Sequence, residues 1–396
     1  MRRAVIVAPV RTPVGAFGKS YRDVPVEALA RTVVHEVLRR TDLDPNRIDD
    51  VVFAQSYANS ETPCIGRWIA LDAGLPESIP GMQLDRRCAG GLQAVVTAAM
   101  MVQTGSCEVV LAGGVESMSR IEHYSQDVRW GRRSGAVLMH DRLDRGRARS
   151  QPEWRYGEIP GMVETAESIA TKYGITRQAS DEFALRSQLL AHAAWEGGRF
   201  QQETVVVASD GDGRPALERD EGIRPETSLG SLARLQPVRA GGTVTAGNAS
   251  QQNDAAAACL VVAEEVASEM GLTPLAALRD WTAVGCDPGL MGMGPVPAVA
   301  KLFQRTGIGF GDLDLVEINE AFACQVLGVL GEWPDLDRSL VNVNGSGISI
   351  GHPIGATGVR ILATMLYELQ RRKGRYAMET MCVGGGQGMA ALFERL

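Results

Sequence analysis

The sequence predicts an α/β protein built from two copies of one strand–helix unit, with a polar segment inserted in the first copy. Three observations carry this. Short apolar runs alternate with helical patterns at both ends of the chain, which implies a largely parallel sheet covered by helices. A stretch recurs: "RRTDLDPNRIDDVVF" (39–53) is echoed by "QRTGIGFGDLDLVEI" (304–318), with Arg40, Thr41, Asp49 and Val51 falling on Arg305, Thr306, Asp314 and Val316 at a constant offset of 265. Between the copies, from Met118 to Ala249, the chain turns polar, arginine-rich and poorly periodic.

The elements follow in order. "RAVIVAPV" reads as a strand. The N-terminus is basic then apolar, like the start of a signal peptide, but Pro9, Arg11 and Pro13 interrupt the run, so a first buried strand fits better. "VEALARTVVHEVLRRT" has a helical period and "IDDVVFAQS" reads as a strand. A helix apolar nearly all round begins at Cys88, and "EVVLAGGVES" is a fully apolar strand closing the first copy. Within the insertion, "ETAESIATKYG" and "RQASDEFALRSQLLAHAAWEGG" are helical patterns. "TVTAGNASQQNDAAAA" (243–258) reads as a small-residue turn entering a buried helix. In the second copy "GHPIGATGVRILATMLYEL" is a helix and "AMETMCVGGGQG" a strand ending in glycines. The offset sets Cys88 against Pro353, next to His352.

Composition narrows the function. The chain has 396 residues, 45% hydrophobic, enough for a large core, and its net charge of −7 gives no electrostatic case for nucleic acid. Only four lysines stand among the cations (Lys19, Lys172, Lys301 and Lys373), and some of the many arginines are candidates to meet phosphates. Seven cysteines form no CxxC pair, and there is no HExxH, so neither a disulfide framework nor a zinc site is expected. No apolar run could span a bilayer, and "ERL" is a poor peroxisomal address. A reducing cytoplasm and no membrane partner are the expectation.

Four positions could carry chemistry. Cys88 opens a buried helix, whose free N–H groups and partial positive charge are expected to lower a thiol's pKa. The competing reading is an inert core cysteine. His352, one of five histidines, lies in the glycine-rich "NVNGSGISIGHPIGATG". Alone it reads as structural; opposite Cys88 it becomes a candidate base for that nucleophile. Cys382 precedes three glycines whose bare N–H groups suit an oxyanion hole, or else fills a tight hairpin. Asn319, in "VEINEAFACQV", sits at a strand end, where it either binds or caps a helix. The chain lacks a Walker phosphate loop, a GxSxG elbow and a GxGxxG turn opening a helix after a strand.

Taken together these motifs identify a resemblance. "RTPVGAFG", "CAGGLQAV", "AGGVESMS", "GTVTAGNAS", "MGMGPVPA", "NEAFA", "NVNGSGISIGHPIGATG" and "MCVGGGQG" resemble, in order and over nearly the whole chain, the thiolases of the acetyl-CoA acetyltransferase and 3-ketoacyl-CoA thiolase type. The resemblance implies a five-layered αβαβα fold of two βαβαβαββ halves. The implied division is 1–118 with 250–273, a CoA-binding loop domain at 119–249, and a second half at 274–396. It implies ping-pong acyl transfer: thiolysis of 3-oxoacyl-CoA, or Claisen condensation of two acyl-CoAs. Cys88 would be the nucleophile, His352 its base and Cys382 the acid/base at the α-carbon. Asn319 with His352 would form one oxyanion hole, and the N–H groups of Cys88 and Gly384 the other. Ser250, Arg224, Ala321, Phe322 and Met162 would contact CoA. No metal and no tightly bound cofactor is implied, and a homodimer or homotetramer is.

Departures from the family pattern matter. "CAGG" replaces the usual CGSG; Ala89 keeps its N–H, so activity is expected to survive. Gly161 stands where short-chain biosynthetic members have histidine, and Arg239 where an aromatic usually lies near the adenine. The loss of that histidine favours a broader or degradative enzyme. Rival readings are a decarboxylating 3-oxoacyl synthase, which would place histidine at 382, a thioesterase, which has no use for a second thiol, and a non-catalytic acyl-CoA-binding relative, which would have lost one of the three residues.

Overall fold

A computed structural model describes residues 2–159, 161–207 and 216–396. The first half contains β1 (Ala4–Arg11), α1 (Val26–Thr41), β2 (Asp50–Ala54), α2 (Ile65–Asp72), β3 (Gly81–Leu84), α3 (Gly90–Thr104) and β4 (Val109–Ser117). The chain then leaves the main sheet, forms a short helix (Arg142–Ala148), α4 (Met162–Tyr173) and α5 (Arg177–Glu196), and returns as β5 (Asn253–Ala263). The second half contains β6 (Pro274–Gly285), α6 (Pro295–Thr306), β7 (Leu315–Ile318), α7 (Ala323–Gly331), α8 (Thr357–Arg372), β8 (Tyr376–Val383) and β9 (Gln387–Arg395).

The strands form one continuous sheet in the order β7-β8-β9-β6-β1-β5-β4-β2-β3. β2 pairs in parallel with β3 and β4, as β7 does with β8; the inner pairs, including the β1–β6 seam between the halves, are antiparallel. The internal repeat is thus visible in space: β2 and β7 occupy equivalent places, as do β4 and β8. α3 and α8 form a shared middle layer, packing on each other and on strands of both halves, while α1 covers β1, β4 and β5 and α6 covers β6, β8 and β9 from outside. This is the five-layered αβαβα arrangement.

Glycine permits the close approach of the two middle helices. A Cβ on Gly358 would lie 2.0 Å from the Leu92 nitrogen, and one on Gly91 would lie 2.9 Å from the Gly355 oxygen and the Val359 nitrogen. The glycines after Cys88 therefore let the helices that follow Cys88 and His352 cross backbone to backbone.

One expectation is corrected. The "NDAAAA" run is the start of β5, not a helix. Its alanines favour helix locally, but all eleven residues of β5 are buried between β1 and β4, and such two-sided burial selects a continuous small or apolar strand. In the second half the place of β3 is taken by a one-residue parallel bridge, Val316 to Val341. Asn342 explains this: its φ is +48°, and its side chain substitutes for the ladder, with Oδ1 accepting from Ile318 N at 2.8 Å and Nδ2 donating to Ile318 O at 2.9 Å.

The excursion between β4 and β5 is fastened by buried charge. Arg11, at the end of β1, bonds Glu203 through Nε at 2.6 Å and Asp220 through Nη1 at 2.7 Å, with all three side chains out of water. Removing one partner of such a pair costs about 3–5 kcal/mol.

Candidate active site

Cys88 occupies a 3₁₀ turn, Arg87–Ala89, immediately ahead of α3. Arg87 is held at φ +46°, with its N–H bonded to Asp85 Oδ1 at 2.6 Å. This tight entry lifts the Cys88 side chain off the helix axis toward the second half. Cys382 is the penultimate residue of β8, and the following turn puts Gly385 and Gly386 at positive φ, +85° and +81°, where only glycine is unstrained. The backbone N–H of Gly384 points at the Cys88 sulfur. Across the parallel β7–β8 pair, Asn319 follows Ile318, whose partner is Thr380, and its N–H donates to Thr380 O at 3.1 Å.

His352 reaches the same place from the loop before α8. Its N–H donates to Asn253 Oδ1 at 2.9 Å, and Asn253 Nδ2 donates to Gly15 O at 3.0 Å, so the second-half histidine is held by first-half backbone. Its Nδ1 lies 2.7 Å from Thr357 Oγ1. The Asn319 amide nitrogen stands 3.4 Å and 3.5 Å from the two ring nitrogens, and Asn319 Oδ1 has no partner although buried. Behind the site the buried Glu116 carboxylate accepts from the backbone of Ser56, Tyr57 and Gly355, tying β4 to the loop that carries His352.

One cleft of about 730 Å³ is lined by Cys88, His352 and Cys382 together with Met162, Ser250, Ala321 and Phe322. Ser250 and Ala321 are brought together by a backbone bond, Ser250 N to Ala321 O at 2.9 Å. Gly161 and Arg239 also line this cleft, and Arg239 pairs with Glu164 at the start of α4. Arg224 does not join them: it lines an adjacent cavity of about 240 Å³ with Gln188 and Thr227, sharing only the wall at Ala246 and Gln251. Sequence reasoning missed Thr357, Asn253 and Glu116, whose parts depend on contacts between halves. It also missed Arg145 and Arg147, which line the cleft from the Arg142–Ala148 helix.

The electrostatics correct one expectation. Burial raises the Cys88 thiol above its usual range, outweighing the Gly384 N–H and the Arg87 charge that favour thiolate. A helix start by itself favours the thiolate; desolvation of the sulfur in the closed cleft reverses the sign. Burial, aided by the Arg360 and Arg147 charges, pushes His352 down to about 3. Cys382 is raised by burial and by the neighbouring Cys88 and Cys286. At neutral pH the site therefore holds two thiols and a neutral imidazole. Among the described residues no cluster could hold a metal ion, and no helix is long and apolar enough to cross a membrane.

A doubled α/β scaffold that presents one thiol from each half beside an imidazole defines a thiol-dependent acyl-transfer site, and the comparisons agree. The chain belongs to the thiolase family: "Thiolase, N-terminal domain" matches residues 4–265 and "Thiolase, C-terminal domain" residues 272–395. It is similar to beta-ketothiolase BktB of Cupriavidus necator, 42% identical over 402 residues with 100% of both chains covered. An acetyl-CoA acetyltransferase of the same organism is also 42% identical, over 400 residues, with 100% of both covered. The crystal structure of the Bacillus anthracis acetyl-CoA acetyltransferase matches with TM-score 0.95 and 40% identity, covering 100% of this chain and 99% of that one. Human mitochondrial 3-ketoacyl-CoA thiolase in complex with CoA matches with TM-score 0.93 and 36% identity, covering 100% and 98%.

Proposed function

We propose that the protein moves acyl groups between acyl-CoA and CoA or acetyl-CoA through a thioester on Cys88. The observation that carries this reading is that Cys88, His352 and Cys382 line one cleft although they come from three separate segments of two halves. Neutral His352 takes the Cys88 proton as the sulfur attacks the acyl carbonyl, then gives that proton to the departing CoA sulfur. In the condensing direction His352 takes the Cys382 proton, the Cys382 thiolate removes an α-proton from a second acyl-CoA, and the carbanion attacks the Cys88 thioester, whose departing sulfur recovers a proton from His352. In thiolysis Cys382 returns the proton to the leaving enolate. The burial that raises Cys382 suits this task, because the α-proton is weakly acidic and a thiolate of high pKa is the stronger base.

The N–H groups of Cys88 and Gly384 stabilise one oxyanion, and Asn319, through a water shared with His352, the other. Ser250, Ala321, Phe322 and Met162 border the pantetheine arm. The loop domain spans 119–249, with 1–118 plus 250–273 and 274–396 as the two halves. The assembly is a homodimer or homotetramer working in the cytoplasm, with a broad, degradative range that includes β-oxidation products.

The test is peptide-resolved mass spectrometry after incubation with acetyl-CoA. An acetyl group is expected on the peptide containing Cys88; label elsewhere overturns the assignment. Cys382→Ser is expected to acylate at Cys88 yet fail to condense, and normal condensation would leave Cys382 structural.

A further inference from the structure

The cleft contains cations that the acyl-transfer chemistry does not use. Arg145 and Arg147 line it from the Arg142–Ala148 helix. Arg142 of the same helix is engaged, bonding Glu122 at 2.8 Å. Arg147 is not satisfied in this way. Its nearest carboxylate oxygen is Asp144 Oδ1 at 3.5 Å, too long for a charge-assisted bond, on a side chain 75% exposed. Arg145 makes no ion pair among the described residues and lies 5.7 Å from the centre of the Tyr124 ring.

Their position matters as much as their freedom. The helix roofs the reaction centre. Tyr57 Oη donates to Leu143 O at 3.3 Å, and the Tyr57 backbone shares the Glu116 carboxylate with Gly355, three residues from His352. Just beyond the helix, Ser150 O lies 2.9 Å from where a Cβ on Gly385 would stand, so this segment touches the turn after Cys382. The Arg147 charge is felt at both His352 and Tyr57. CoA's phosphates are separated from its sulfur by the whole pantetheine arm. A cation that lines the same cleft and whose charge reaches His352 therefore faces the acyl chain.

We propose that the site takes acyl-CoA thioesters whose short acyl chain ends in a carboxylate, with Arg147 pairing that carboxylate and Arg145 reinforcing it. This rests on the acyl-transfer reading above. In thiolysis the Cys88 sulfur bonds to C3 of a 3-oxodicarboxylyl-CoA, and the C2–C3 bond breaks. Its electron pair takes a proton from Cys382 to give acetyl-CoA. CoA then attacks the thioester, forming the ω-carboxyacyl-CoA and returning the thiol of Cys88, while its own proton restores Cys382. The terminal carboxylate stays unchanged throughout. It serves only to hold the chain, and a chain with a methyl end would leave the arginines unpaired in the cleft.

The experiment compares kcat/KM for thiolysis of 3-oxohexanedioyl-CoA and 3-oxohexanoyl-CoA, which differ only in the terminal carboxylate. The native protein is expected to favour the diacid about tenfold to a hundredfold, the worth of a charge-assisted contact. Arg147→Leu is expected to collapse that ratio toward one, and Arg147→Lys, which keeps the charge, to retain most of it. Cleavage of 3-oxohexanoyl-CoA without preference for the diacid overturns this proposal alone. A ratio unchanged in Arg147→Leu, with KM for CoA raised for both substrates, also overturns it by assigning the arginine to a phosphate. Should Arg147→Leu not fold, Arg145→Leu and the native ratio decide. Absence of any acyl group on Cys88 would instead defeat the acyl-transfer reading.

Discussion

Thr357 dictates which nitrogen of His352 carries the proton. The Thr357 hydroxyl lies 2.9 Å from Pro353 O and 2.7 Å from His352 Nδ1; donating its one proton to the carbonyl, as Thr does along a helix, it accepts from the imidazole. Nδ1 is then the protonated nitrogen and Nε2 is left with a bare lone pair, the form a general base needs.

Thr357→Val should keep the fold, since the residues are nearly isosteric, but release that tautomer. The acylation rate is expected to fall by about tenfold to a hundredfold, within the range a positioned base contributes. Thr357→Ser should restore most of it. Stopped-flow acylation with acetyl-CoA checks both, and an unchanged rate for the valine variant would show that the hydroxyl has no such part.

The pH dependence follows from the neutral thiol and imidazole. His352 titrates near 3 rather than in the usual imidazole range, so acylation should show no acid limb around pH 6–7. Because Cys88 is raised, its alkylation by iodoacetamide should keep climbing through pH 9. A plateau near neutrality, read on the peptide containing Cys88, would mean a thiolate–imidazolium pair instead.

Gly358→Ala should prevent the middle helices from closing, because its Cβ meets the backbone of Leu92 rather than a movable side chain. A loss of about 1–3 kcal/mol or more is expected, since backbone must shift. Denaturant unfolding measures it. The same exchange at Gly311, where nothing lies within 4 Å, is the control.

Glu116→Gln should destabilise by about 1–3 kcal/mol, because the new amide faces one of three backbone N–H donors. Burial raises Glu116 to about 7, from 4.5 when unfolded. A raised carboxyl pKa favours the folded state at low pH, and that contribution is lost as pH climbs from 4.5 through about 7. The glutamine variant should lack this part of the stability profile, visible as a smaller change in melting temperature between pH 5 and pH 8.

Much of this could be read from the chain alone, and the failures have physical causes. The repeat between Asp49 and Asp314 survives because both halves need the same strand edge. Cys88, His352 and Cys382 were legible because small residues crowd around each of them. β5 was misread because alanine's local preference points to helix, and only the neighbours on both sides reveal a strand. The charge state of Cys88 was misjudged because desolvation is a property of the closed cleft, not of a helix start. Thr357, Glu116 and Asn253 left no local mark, since each acts on a partner in another segment. Arg147 reads as one more arginine in a polar run, and only the cleft it shares with His352 sets it apart.

The sheet order has a consequence for how the protein is made. β9 follows Cys382 in the chain yet lies between β8 and β6, so the β7–β8 pair bearing Cys382 joins the rest of the sheet only through a strand translated after it. A nascent chain halted before β9 has Cys88, His352 and Cys382 but no strand joining the β7–β8 pair to β6. The cleft should therefore close only as that strand leaves the ribosome, which keeps the two thiols from meeting while the polypeptide is still growing.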